Sequence, residues 1–366
     1  MSISAEEPRA AYTVEVDSVP NETWDEIVSG FADAHHEQTA CYASHHWKGR
    51  DSHLLLRRGA EPVAGARVTI FKLPVLGRGL AFARFGPFWR AEGREADPAI
   101  YRAAVGALVQ EYALSRGHCL TILPRPSPVH QDQEYALLRD MGFVRRREML
   151  DAERYFVDLS LSEEAQMKSF SQNWRHNLRK ALGEPLEIRL SDGQDDAEAF
   201  AELYKEMVSR KGFDSATPVH MTSDLIAGLP AKLKPKVAMA FHGGELVAGA
   251  TVSLFGDTAY YMFGATSSAA LPLNAGYALQ WWIIRWLSAQ GVRWYDLGGA
   301  AHERGLRHFK KGMTGKSGRI VVMEGEYDRW TSSLGRLAAD AVFGARHLRR
   351  MMRYGSKYGR LSEAKG

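Results

Sequence analysis

The sequence predicts an α+β protein of two tandem domains, each a mixed, mostly antiparallel sheet flanked by helices. Three observations predict it. At 366 residues the chain is long for one domain and suits two of roughly 100 to 200 residues each. Hydrophobic residues make up 45% and charged residues 25%, the balance of a chain that buries a real core. One order of elements (helices, an antiparallel meander, a helix, a strand, a helix, a strand) is readable twice, without residue-level repetition.

In the first half, Trp24 to Ala34 reads as a helix. Leu54 to Arg57 and Val63 to Phe71 read as a strand pair across the turn Gly59-Ala60-Glu61-Pro62. Leu80 to Phe85 is a strand that stops at Gly86-Pro87, since proline cannot continue a ladder. Pro98 to Arg116 is a helix with Ile100, Ala103, Ala104, Ala107, Leu108 and Tyr112 in helical spacing. Cys119 to Leu123 is a buried strand, Tyr135 to Met141 a helix ended by Gly142, and a strand starts at Phe143. A charged stretch, Arg145 to Arg154, joins the halves.

The second half opens with the strand Tyr155 to Leu159 and helices at Glu163 to Ala181 and Asp196 to Lys211. Val237 to Phe241 and Leu246 to Phe255 form a hairpin, and Thr258 to Ala265 extends it. Then come the apolar helix Asn274 to Ala289, the breaker Gly291, the strand Trp294 to Leu297, the basic helix Arg304 to Lys311 and the strand Arg319 to Met323. The expected division is 1–153, 154–326 and a basic helical tail over 327–366, where Arg329, Arg336, Arg346, Arg349, Arg350, Arg353, Lys357 and Arg360 face few acids.

A formal net charge of +4 is too small over this length to mark a nucleic-acid binder. Cys41 and Cys119 are the only cysteines, so no disulfide framework is expected and a reducing compartment is favoured. Met1 to Ala11 has no apolar core of a secretory signal, and no uncharged run approaches the ~20 residues of a membrane span. The expectation is a cytoplasmic protein. His35-His36 and His45-His46 invite a metal reading, but adjacent histidines point to different faces and no partner stands at ligand spacing. No metal is expected.

Two segments resemble the Fem-type peptidoglycan aminoacyltransferases of the GNAT superfamily. One is Arg154-Tyr155-Phe156-Val157-Asp158-Leu159-Ser160 leading to Asn173-Trp174-Arg175-His176-Asn177-Leu178-Arg179-Lys180-Ala181. The other is Tyr295-Asp296-Leu297-Gly298-Gly299 followed by Gly305-Leu306-Arg307-His308-Phe309-Lys310-Lys311-Gly312. In the first half, Gln38 through Trp47-Lys48 and Phe85-Gly86-Pro87 are similar to the family's pattern. The resemblance implies two GNAT-like domains and an acyltransferase that forms an amide bond with no bound cofactor. Its acyl donor would be aminoacyl-tRNA and its acceptor a nucleotide-sugar or lipid-linked peptidoglycan precursor. A GNAT N-acyltransferase using acyl-CoA or acyl carrier protein in exopolysaccharide assembly is the second reading, and a non-catalytic scaffold the third.

On this resemblance Lys310 reaches the donor's carbonyl and Phe309 packs near the aminoacylated ribose. The alternative is that Arg304, Arg307, His308, Lys310 and Lys311 form a solvated face. Asp296 orients the lysine or the acceptor amine, or else serves as a turn or cap aspartate. Arg175 and Arg179, four apart on one helix, suit phosphates or an ordinary basic surface, and Asn177 lies between them. Arg210 and Tyr261 fall where relatives bind the acceptor's sugar-nucleotide part, or else serve packing or the surface, and the first-half pattern makes Lys48 a substrate-binding candidate. Leu273-Asn274-Ala275-Gly276-Tyr277-Ala278 falls where GNAT enzymes place a pyrophosphate loop. Gly276 and Ala278 fit its pattern, and Leu273 departs from it. The basic tail is a solvated helix or a candidate for peripheral contact with the inner membrane or tRNA.

Overall fold

The structure is a computed structural model that describes residues 12–47, 49–73, 77–147, 149, 152–212, 219–300 and 303–345. The first half contains β1 (Tyr12–Val16), α1 (Asn21–Val28), α2 (Ala40–His46), β2 (Asp51–Arg58), β3 (Glu61–Lys72), β4 (Gly79–Arg84), α3 (Pro98–Leu108), β5 (Cys119–Leu123), α4 (Gln131–Asp140) and β6 (Val144–Arg147). The second contains β7 (Glu153–Asp158), α5 (Glu163–Ser169), α6 (Gln172–Ala181), β8 (Glu187–Ser191), α7 (Gln194–Lys211), α8 (Met221–Gly228), β9 (Lys236–His242), β10 (Glu245–Phe255), β11 (Thr258–Thr266), α9 (Ala275–Ala289), β12 (Trp294–Asp296), α10 (Arg304–Thr314) and β13 (Arg319–Val322). The strand β14 (Glu326–Arg329) follows, and residues 333–345 are helical.

Two seven-stranded sheets result, in the orders β1-β2-β3-β4-β5-β14-β6 and β13-β7-β12-β11-β10-β9-β8. β4 runs parallel to β5 and β11 parallel to β12, while the other described pairs are antiparallel. Each parallel pair is bridged by a helix, α3 or α9, as parallel strands require a crossover. This shared arrangement is the physical content of the repeated order. The α+β expectation holds.

Most expected elements appear, with informative differences. The helix expected over Glu163 to Ala181 is two helices. Buried Phe170 takes an extended conformation, and Ser171 caps α6 by accepting the Trp174 N–H at 3.3 Å. The helix expected to reach Ala34 ends at Val28, because the Asp33 carboxylate accepts the N–H groups of Trp89 and Arg90 and holds the chain in a turn. The helical tail expected from residue 327 begins instead as β14, which pairs with β5 and β6 and so belongs to the first sheet. The apolar residues of the helix over 333–345 then cover Leu80, Phe82 and Leu123 of that sheet. The tail's basic residues from Arg346 onward lie outside the described residues.

A buried cluster draws on both halves, joining Trp24, Phe31 and Phe88 to Phe200, Leu225 and Phe263. α9 packs its uncharged face on the second sheet, and Trp281 lies in the core there. The halves are further pinned at the β10–β11 turn. Asp257 accepts hydrogen bonds at 2.9 Å from both terminal nitrogens of Arg90 and from Arg125, which also bonds the Tyr260 hydroxyl. Gly256 beside it has φ +57°, and a Cβ there would stand 2.4 Å from the Ala32 backbone, so only glycine fits. Among the described residues, no helix is long and apolar enough to cross a membrane.

Candidate active site

An open cavity of about 990 Å³ is lined by residues of both halves. On the side of the second half, α10 divides its charges between two faces. Arg304, Arg307, His308 and Lys311 are exposed, whereas Lys310 is 6% exposed and turned inward. The close approach of α10 to α6 sets that orientation: a Cβ on Gly312 would come within 2.9 Å of Ser171 Oγ. Lys310 Nζ donates to the Gly299 carbonyl at 2.5 Å and lies 5.6 Å from the centre of the Tyr261 ring. A buried ammonium is tolerable only with such partners, and Lys310 is among the residues that line the cavity.

The loop that supplies this carbonyl is shaped by Asp296. Its carboxylate accepts the Gly298 N–H at 2.7 Å, allowed by Gly298 at φ +74°, and pairs with Arg154 at 2.7 Å. Asp296 is therefore a buried turn aspartate, one step removed from the lysine through Gly298 and Gly299.

The wall of the first half centres on a 3-10 turn, His36–Gln38. Gln38 fixes it: its side chain donates to the carbonyls of Arg67 and Arg84 and accepts the Arg67 N–H at 2.7 Å. His35 Nδ1 accepts the Glu37 N–H at 3.1 Å, and Glu37 pairs with Arg84 at 2.8 Å. Burial, reinforced by Arg84 and Arg154, holds the His36 ring neutral, with its pKa lowered to about 3. Burial raises the Glu37 pKa against the opposing pull of the same arginines. His35, His36 and Glu37 bring ligand atoms within 4.8 Å of one another, so the carboxylate that the sequence reading found wanting stands next in the chain. Glu37 is already committed to an arginine, and the positive field on both rings opposes a cation.

Other expected residues divide. Phe309, Tyr261 and Gly276 line the cavity, with Phe309 edge-on to Tyr277 at 5.0 Å. Burial raises the Tyr261 phenol above its ordinary range. Ala278, on α9, is buried and does not line the cavity. Asn177 donates to the hydroxyl of Tyr277, a cavity residue, at 3.1 Å, and Arg210 reaches the rim through the Thr266 carbonyl at 2.6 Å. Arg175 instead donates to the Lys168 carbonyl at 2.7 Å and Arg179 is exposed, and neither lines the cavity. Lys48 lies outside the described residues. The sequence reading missed His36, Glu37, Arg84 and Arg154 as site residues, because only the fold brings β4, β7 and the 3-10 turn to one wall.

The cavity thus has a buried lysine on the wall that the second half supplies. Residues 168–311 match the family model described as an acetyltransferase (GNAT) domain. No curated protein matches the chain by sequence. Among solved structures, the crystal structure of FemX is similar at 16% identity and a TM-score of 0.71, over 87% of this chain and 97% of that one. A conserved protein of unknown function from Bacteroides thetaiotaomicron is similar at 12% identity and a TM-score of 0.55, over 86% and 99%. The fold is thus similar to that of FemX, and the second half, where the motifs lie, matches the GNAT domain.

Proposed function

We propose that this chain transfers an aminoacyl group from aminoacyl-tRNA to an amine of a peptidoglycan precursor in the cytoplasm. The observation that carries the reading is Lys310, enclosed on a cavity wall with its ammonium held by a backbone carbonyl. The attacking amine nitrogen adds to the ester carbonyl, and the lysine stabilises the oxyanion that forms. Collapse breaks the ester C–O bond and releases the tRNA hydroxyl, which takes up a proton equivalent to the one lost by the amine. A phosphate or carboxylate of the acceptor serves as the base. Phe309 and Tyr277 supply the flat apolar surface for the donor's terminal ribose, and Asp296 positions the carbonyl that aims Lys310.

The test is transfer from alanyl-tRNA to a UDP-MurNAc-pentapeptide, followed by mass spectrometry. Lys310→Ala should lower the rate by about 10²- to 10³-fold, the usual cost of removing an oxyanion-stabilising group, with unchanged thermal unfolding. One observation favours a second acyl donor: Gly276, at the start of α9, lines the cavity, and a helix N-terminus suits a pyrophosphate. Saturable turnover of acetyl-CoA, with no product from aminoacyl-tRNA, would select acyl-CoA and overturn the leading reading.

A further inference from the structure

On the functional reading above the acyl donor occupies the wall of the second half, which leaves the first-half wall to the amine substrate. Its chemistry is specific. The His36 ring packs against Tyr42 and Phe255, with centroids 5.3 and 6.2 Å away. Its Nδ1 is enclosed without a hydrogen-bond partner, so Nε2 is the nitrogen left for the cavity that His36 lines. An enclosed N–H without an acceptor is more costly than an enclosed lone pair. The proton therefore resides on Nε2, and His36 presents a neutral N–H to the cavity at any working pH, since burial and two arginines keep the ring unprotonated. Polarisation of a ligand oxygen by a neutral imidazole is an established device.

Beside it, Arg84 holds Glu37 and leans on the Phe85 ring at 4.8 Å, while its side chain stays 40% exposed. Among the described charged residues lining the cavity, Arg84, Arg154, Lys211 and Lys310 stand against Glu37 and Glu303, a surplus of positive charge. An anionic oxygen pair is the group that accepts from a ring N–H and a guanidinium edge together.

The geometry points to a subsite on His36 and Arg84 for a carboxylate carried by the amine substrate, next to the nitrogen that is acylated. This rests on the functional reading above and names the acceptor's class: an amino acid centre in which amine and carboxylate are neighbours, in place of a bare alkylamine.

Two UDP-MurNAc-pentapeptides test it, one with meso-diaminopimelate and one with L-lysine at the third position. They differ by a single carboxylate on the carbon that bears the acceptor amine. With alanyl-tRNA or acetyl-CoA as donor, wild type should favour the diaminopimelate peptide in kcat/KM by about 10-fold to 100-fold, the range of one charged hydrogen-bonded contact. His36→Leu and Arg84→Met should each bring the ratio to within about threefold of unity, while His36→Gln, whose amide replaces the Nε2–H, should retain most of it. The ratio is read within one preparation, so partial unfolding of a variant does not imitate the effect. Transfer to both peptides at equal rates, or a preference untouched by His36→Leu and Arg84→Met, overturns this subsite and leaves the functional reading standing. Transfer to neither peptide from either donor overturns both.

Discussion

Asp257 ties the second half to Arg90 and Arg125 of the first, and Asp257→Asn is the perturbation that tests the tie. The carboxylate, 28% exposed, accepts from Arg90 and Arg125, and these arginines lower its pKa from 3.8 to about 2 despite the opposing effect of burial. At about 1.4 kcal/mol per pH unit, that lowering corresponds to about 2.5 kcal/mol of stability. Asparagine keeps the shape but leaves two buried guanidiniums with less compensation, and breaking a buried pair costs about 3–5 kcal/mol. A loss of about 3 kcal/mol is expected. With an unfolding entropy of about 2.1 cal/mol/K per residue over 366 residues, the melting temperature should fall by about 4 °C. The sign of the pH dependence is fixed as well. A carboxylate with a depressed folded pKa contributes stability that is present above pH 3.8 and fades as pH falls through about 2. Calorimetric melting of wild type and Asp257→Asn at pH 7 and in steps toward pH 2.5 should show the gap narrowing with acid. A gap below about 0.5 kcal/mol at pH 7, or one that widens in acid, refutes the account.

Gly256→Ala should destabilise by at least about 2 kcal/mol in urea melts, because the added methyl meets the Ala32 backbone at a positive φ; an unchanged midpoint refutes it. Glu134, which accepts the Trp89 indole N–H at 2.8 Å, has its pKa raised by burial to about 8. The stability that it contributes is full below pH 4.5 and lost as pH rises through about 8, so Glu134→Gln should melt progressively higher than wild type between pH 5 and 8. A parallel pair of melting curves over that range refutes this. Lys310→Ala should abolish most acyl transfer without lowering the melting temperature, and retention of activity refutes its catalytic placement.

Much of the fold was legible because its elements announce themselves through period and punctuation. The apolar run Asn274 to Ala289 with its breaker Gly291, and the hairpin across His242-Gly243-Gly244-Glu245, could be read directly. What escaped notice was short, polar or remote. β1 and β8 are edge strands whose alternation is mostly half-exposed, so no hydrophobic pattern marks them. β14, with its sequence Glu-Tyr-Asp-Arg, owes its state to the strands on either side of it. The site divides in the same way. Phe309, Lys310 and Tyr261 belong to the second half, where the motifs are concentrated, and they do meet in one cavity. Arg175 and Arg179 share a helix face as expected, but that face looks outward. Nothing local could say that His36 would meet Arg84, 48 positions on, because Gln38 makes that link through two backbone carbonyls.

The placement of β14 has a consequence for how this protein comes into being. The gap between β5 and β6 is filled by residues that leave the ribosome only after the whole second half has been made. Until then the earlier sheet presents two raw edges, so it must wait, guarded or unfinished, for its last strand. The first half is therefore not a module that can be cut out at its own last strand, because its sheet closes on a segment from beyond the second half.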